Sequence, residues 1–159
     1  MSLEADVLSY LSENENILIS LSKDIWDHPE LALQENYASK LIVDQLEEAG
    51  FSVKKGVAQM PTAFVASWGE GKPVIGILGE YDALPGLSQK VTAEREPIEE
   101  GAPGHGCGHN LLGVGSLGAA LAVKEIMEDD KLKGTIRYYG CPAEETLVGK
   151  VFMAKTGAS

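Results

Sequence analysis

Val74-Ile75-Gly76-Ile77-Leu78 runs directly into Gly79-Glu80-Tyr81-Asp82. Five consecutive apolar residues after a glycine-proline turn predict a short strand buried on both faces. Two acids just past its carboxyl end sit where open α/β sheets gather ligands. Working backward, the turn is Trp68-Gly69-Glu70-Gly71-Lys72-Pro73, and strands are expected at residues 63–68 and 51–55. A helix at 36–49 carries Ala38, Leu41, Ile42 and Leu46 on one face and ends at Gly50. Before it, Val7, Leu8, Leu11, Ile17, Leu18, Leu21 and Ile25 recur at helical spacing across 3–27, as one long or two short amphipathic helices. His28-Pro29-Glu30 stops that pattern, because proline disfavours helical geometry in the residue before it.

Forward of the quoted strand, residues 82–108 form a long stretch of glycine, proline and charge, and loops of that length are usually functional or disordered. A helix at 110–129 follows, rich in Gly113, Gly115, Gly118 and alanines; small residues weaken a helix, so this composition predicts close packing on a sheet. A strand at 135–140 and a helix starting at Leu147 complete the chain. The order predicts an α/β layered domain with a mixed sheet.

The 159 residues suit one domain. A net charge of -11 argues against nucleic acid or an anionic membrane as partner, since both would be repelled. No run of about 18 apolar residues is present, so no bilayer span is expected. The N-terminus shows no basic-then-apolar leader, and cytoplasmic is the expected location. Two cysteines, Cys107 and Cys141, are too few for a disulfide scaffold; each is a buried thiol or a metal ligand first.

Three polar clusters fall at comparable places. Glu80 and Asp82 follow one strand, Glu144 and Glu145 follow another, and His105, Cys107 and His109 lead into a helix. In Gly104-His105-Gly106-Cys107-Gly108-His109-Asn110, alternate residues of an extended segment point the same way, so Cys107 and His109 can reach one ion. Thiolate with imidazole suits zinc, and imidazole with carboxylate suits other divalent ions. The bland alternative is a flexible glycine loop with a free cysteine. Adjacent Glu144-Glu145 suggest one carboxylate on a metal and one moving protons, although paired acids also decorate solvated helix starts.

Together, Asp27-His28-Pro29-Glu30-Leu31, Gly79-Glu80-Tyr81-Asp82-Ala83-Leu84-Pro85-Gly86-Leu87-Ser88, the 102–113 stretch around Gly-His-Gly-Cys-Gly-His-Asn, and Gly140-Cys141-Pro142-Ala143-Glu144-Glu145 resemble the M20 metallopeptidase family, in its amidohydrolase branch typified by aminobenzoyl-glutamate utilisation proteins. The resemblance implies a mixed-sheet, three-layer catalytic domain of the zinc-peptidase type, incomplete here. It implies Cys107, His109 and Glu145 as metal ligands, Glu144 as general base, and a divalent ion, zinc or manganese. In two-metal relatives a histidine stands where this chain has Glu80, with Asp82 behind it; Glu80 and Asp82 are therefore expected around the ligands. Asn110 replaces an aspartate, which favours the aminobenzoyl-glutamate side, and Thr146-Leu147-Val148 replaces a glycine run beside the base. His105 is expected on a loop or pocket wall, His28 at a helix end and Cys141 in the core.

The implied substrate is a small N-acyl or aminobenzoyl amino acid, and full-length relatives are expected to be dimeric or paired with a homologous subunit. Residues 1–159 are read as the N-terminal part of the catalytic domain, with the inserted dimerisation domain and remaining segments absent. By itself the piece is expected to bind metal weakly and to hydrolyse negligibly. The rival readings are a catalytically dead structural or subunit-interaction module, and a metal- or redox-sensing thiol site.

Overall fold

A computed structural model describes residues 2–157. Helix α1 (Leu3–Glu13) begins where the Ser2 hydroxyl accepts from the Ala5 N–H at 3.3 Å. It ends at Asn14, whose side chain turns back to the Tyr10 carbonyl at 2.9 Å, so two short helices form rather than one. Helix α2 (Glu15–Asp27) stops at His28. The start of α3 (Asn36–Glu48) is held by Glu30, which accepts from the Tyr37 and Ala38 N–H groups at 2.9–3.0 Å. Strands β1 (Ser52–Lys55), β2 (Phe64–Glu70) and β3 (Val74–Glu80) follow, with a 3-10 turn at Val57–Gln59. Then come α4 (His109–Asp129), β4 (Gly134–Cys141) and α5 (Gly149–Lys155).

The sheet order is β1-β2-β4-β3. The first two pairings are antiparallel, and β3 runs parallel to β4 with Glu80 opposite Cys141. β3, α4 and β4 therefore make one crossover unit, as parallel neighbours require. The main core lies between the sheet face of Phe64, Ala66, Ile136 and Tyr138 and the helices, which contribute Ile25, Ile42, Leu46, Val114 and Leu117. On the opposite face Val57, Met60, Val65, Cys141 and Met153 form a thinner layer with α5 and the 3-10 turn. The mixed sheet and the three layers match the sequence reading. Cys141 is in that second core, and burial pushes its thiol up to about 12.

The small residues of α4 have the expected use. A Cβ on Gly113 would lie 2.6 Å from the Glu80 carbonyl oxygen, and one on Gly118 would lie 3.1–3.3 Å from Leu18 and Leu11. The helix is thus wedged between β3 and the α1–α2 pair. By length and composition alone α4 is long and apolar enough to cross a membrane. Its apolar character instead serves these contacts with the sheet and with α1, α2 and α3.

Two expectations need correction. β3 is not buried on both faces: Val74, Ile75 and Leu78 are about half exposed, because β3 is an edge strand paired only with β4 among the described residues. Helix α5 starts at Gly149 rather than Leu147. Leu147 takes a left-handed φ of 58° and its N–H bonds the Glu144 carbonyl, so a turn precedes the helix. Gly149 is required there: a Cβ would lie 1.7 Å from the Pro142 carbonyl oxygen. The 82–108 stretch is an ordered excursion, closed at its base by reciprocal Leu84–Gly104 backbone bonds of 3.0 Å.

Candidate metal centre

Parallel pairing puts the carboxyl ends of β3 and β4 side by side, so residues 80–82 and 143–145 leave the sheet together. The Ala83 N–H bonds the Glu30 carbonyl at 2.8 Å, fixing the Asp82 segment against the chain after α2. The closed excursion returns the chain beside Asp82. Gly108 then takes a left-handed φ of 83°, and α4 opens with His109 at these strand ends.

His109 is buried at the centre of the cluster. Its Nδ1 lies 3.0 Å from both the carbonyl and the Oδ1 of Asp82, which are acceptors only, so Nδ1 carries hydrogen and donates. Its Nε2 lies 3.1 Å from Glu80 Oε2 and 3.6 Å from Glu144 Oε2. The other Asp82 oxygen accepts from the Glu145 N–H at 2.9 Å. The bond to Asp82 raises the His109 pKa above its ordinary value, although burial opposes this. At Asp82 burial pushes the carboxyl up, but the bonds from His109 and the Glu145 N–H outweigh it, and the net shift is downward. Cys107 is exposed; its thiol is pushed up by Glu145 first, then by slight desolvation and the charges of Glu144 and Glu80.

Two donor sets emerge. The ligand-type atoms of Cys107, His109 and Glu145 lie within 4.8 Å of one another, and so do those of Glu80, His109 and Glu144. Both need His109, and with Nδ1 held by Asp82 only Nε2 remains, so one nitrogen cannot serve two ions. The second set already faces a cation: Lys150 Nζ pairs with Glu80 and lies 3.7 Å from Glu144 Oε1. In the first set Glu145 Oε1 is buried and accepts no hydrogen bond. A thiol, an imidazole nitrogen and an unpartnered carboxylate oxygen fit a divalent ion of the zinc type.

Cys107, His109, Glu144, Glu145, Glu80 and Asp82, the six residues expected at or around the metal, come together. His105 is buried on the wall of a cleft of about 1150 Å³ that Cys107 also lines; burial lowers its pKa to about 4. His28 ends α2, with Nδ1 2.8 Å from the Asp24 carbonyl and its ring stacked on Tyr37. Asn110 turns away from the donors and gives its amide hydrogens to the Ser22 carbonyl and hydroxyl. Lys150 and Glu35 were missed. Neither has a local signal of burial or contact in the sequence.

A profile of the family described as Peptidase family M20/M25/M40 matches residues 76–159. The chain belongs to that family. It is 49% identical to one of the subunits of the p-aminobenzoyl-glutamate hydrolase of Escherichia coli K12 over 138 residues, which are 86% of this chain and 29% of that protein. It is 32% identical to the human Xaa-Arg dipeptidase over 93% of this chain and 34% of that one. A Bacillus subtilis structure described as a dinuclear metal-binding peptidase from the M20 family superposes with a TM-score of 0.78 at 28% identity, over 92% of this chain and 40% of that one. The aminobenzoyl-glutamate utilization protein of Klebsiella pneumoniae shares the fold, with a TM-score of 0.68 at 17% identity over 96% of this chain and 43% of that one. The chain spans about a third of the length of the curated M20 relatives it matches.

Proposed function

We propose that the protein carrying this chain is a metal-dependent amidohydrolase that cleaves the amide bond of a small N-acyl or aminobenzoyl amino acid, with aminobenzoyl-glutamate as the candidate substrate. One observation carries the reading: Cys107, His109 and the unpartnered Oε1 of Glu145 converge beside a second carboxylate, Glu144. The 49% identity to a protein named as part of a p-aminobenzoyl-glutamate hydrolase supports the substrate class.

Cys107, His109 Nε2 and Glu145 would hold a divalent ion, zinc or manganese, with the thiol favouring zinc. Such an ion, when bound, polarises a carbonyl and acidifies water. Asp82 holds His109 with its hydrogen on Nδ1, which leaves the Nε2 lone pair for the ligand role. Glu144 accepts the proton of the attacking water and returns it to the departing nitrogen. Glu80 holds Lys150 beside Glu144, and the ammonium offsets part of the negative charge at that end of the cluster.

The E. coli relative is named as a subunit, which supports pairing with a homologous chain. The two free thiols suit a reducing cytoplasm. The 159 residues alone are proposed to bind metal weakly and to turn over negligibly. A redox-sensor reading is disfavoured because the neighbouring acids push the Cys107 thiol up, whereas a reactive thiol is one whose pKa is lowered.

The test uses the full-length protein with zinc or manganese and follows release of aminobenzoate from aminobenzoyl-glutamate. Turnover is expected, chelation abolishes it, and Glu144→Gln lowers kcat by about 10²–10⁴ while the metal stays bound. A metal-loaded protein that hydrolyses neither this compound nor simpler N-acyl amino acids refutes the proposal and leaves the structural-module reading.

A further inference from the structure

We propose that Glu35 is a positioning residue that aims Glu144, a role that rests on the hydrolase reading above. Glu35 is fully buried, and a buried carboxylate is costly unless its oxygens are satisfied. Here they are. Oε1 accepts from the Leu33 N–H at 2.9 Å and from the Ala143 N–H at 2.8 Å, and Oε2 accepts from the Thr62 hydroxyl at 2.9 Å. One side chain thus ties together the start of α3, the turn before β2 and the loop after β4.

The residues that share Oε1 are both strained. Leu33 has a φ of 63° and Ala143 a φ of 56°, left-handed values that a non-glycine residue holds only when its surroundings impose them. The carbonyl of Ala143 accepts from the Val148 N–H at 3.1 Å and from the Thr146 hydroxyl at 3.2 Å, so this one residue anchors the turn that carries both glutamates. On the far side of that turn Asp82 takes the Glu145 N–H at 2.9 Å. Glu144 therefore sits between two clamps. Asp82 belongs to the donor cluster itself; Glu35 makes no hydrogen bond to Glu144 or Glu145 and acts only through the Ala143 backbone. An alternative role, a buried staple for the fold alone, predicts loss of stability with no selective effect on the turnover step.

The experiment compares Glu35→Asp with Glu35→Gln in the full-length, metal-loaded protein. Aspartate withdraws the carboxylate from the Ala143 N–H by about one bond, 1.5 Å. Glutamine keeps an oxygen for both backbone donors. Glu35→Asp is expected to lower kcat at least about tenfold, since misplacement of this size is that costly, while KM and bound metal stay within about twofold. Glu35→Gln is expected to recover most of that loss. Leu46→Ala, a core truncation in α3, sets the control: less stable, with kcat per folded molecule unchanged. Amide hydrogen exchange across residues 142–148 is expected to quicken in Glu35→Asp and not in Glu35→Gln.

Equal kcat and equal exchange in the two variants overturn the proposal. So does a loss that tracks bound metal or folded fraction. Should Glu35→Asp not fold, Thr62→Ala, which frees Oε2, decides the matter through the same signature at smaller size; wild-type kcat and exchange there overturn it. If wild-type protein hydrolyses no amide, the hydrolase reading fails, and the exchange comparison still decides whether Glu35 orders the 143–145 turn.

Discussion

The two donor sets that share His109 differ in one respect. In the Cys107, His109 and Glu145 set the Glu145 Oε1 accepts no hydrogen bond and its nearest cationic group is the His109 ring at 3.9 Å, whereas in the Glu80, His109 and Glu144 set the Lys150 ammonium already faces both carboxylates. Proximity of acidic groups at strand ends is therefore not enough to define a cation site. What distinguishes the sets is whether the charge and the lone pairs are already engaged. The superposing Bacillus protein is described as dinuclear, whereas here the two sets share one imidazole, whose Nε2 already lies 3.1 Å from Glu80 Oε2.

The largest expected effect comes from removing what the sets share. His109→Ala should weaken zinc binding by more than about 100-fold in titration calorimetry, beyond the usual loss for a residue behind a ligand. Retention of tight binding would mean that the first set is not the site. Asp82→Asn should cost about 10–100-fold in metal affinity, because it disturbs the tautomer and aim of His109 without removing a ligand. Lys150→Met sharpens the comparison most directly: with the ammonium gone, the Glu80 and Glu144 carboxylates can draw in a cation without the His109 nitrogen, and metal analysis should show a gain in weakly bound equivalents. An unchanged count would break the distinction drawn between the sets.

Smaller effects follow from pH. In metal-free protein the raised His109 pKa contributes stability that is complete below its ordinary value, near 6.5, and is lost as pH rises through the folded value. The depressed Asp82 pKa contributes stability present above about 3.9 and lost as pH falls through its folded value. The melting temperature should therefore decline by a few degrees on the alkaline side, and Asp82→Asn should flatten that decline. Metal affinity should move the opposite way, rising with pH as Cys107 and His109 give up protons.

Much of this was readable in the residues. The apolar runs, turn residues and helical spacing that point to the four strands and the main helices are local, and the site motifs occupy strand ends and a helix start, where short stretches of sequence carry strong constraints. The convergence of Cys107, His109, Glu144 and Glu145 followed from the motifs and needed only the parallel β3–β4 pairing to become geometry. What stayed hidden depends on distant partners. Glu35 meets Ala143 across 108 positions, and Lys150 meets Glu80 across 70, with nothing in either neighbourhood to announce it. The exposure of β3 was hidden too, because a run of apolar residues specifies a strand and says nothing about which neighbours flank it. The turn ahead of α5 escaped for a backbone reason: Ala143 and Leu147 adopt conformations that their residue types rarely choose.

The reciprocal Leu84–Gly104 bonds make a collar around the base of the intervening segment, with a second rung from the Ser88 N–H to the Ala102 carbonyl at 3.0 Å. Beyond that collar the chain can change length with little mechanical consequence for Asp82 or His109, since ring size adds closure entropy only logarithmically. A peptide spliced in beside Glu94 would sit at the rim of the cleft that Val91, Thr92 and Ala93 line together with Cys107, so it would report on access to that cleft while Asp82 and His109 stay held at the strand ends.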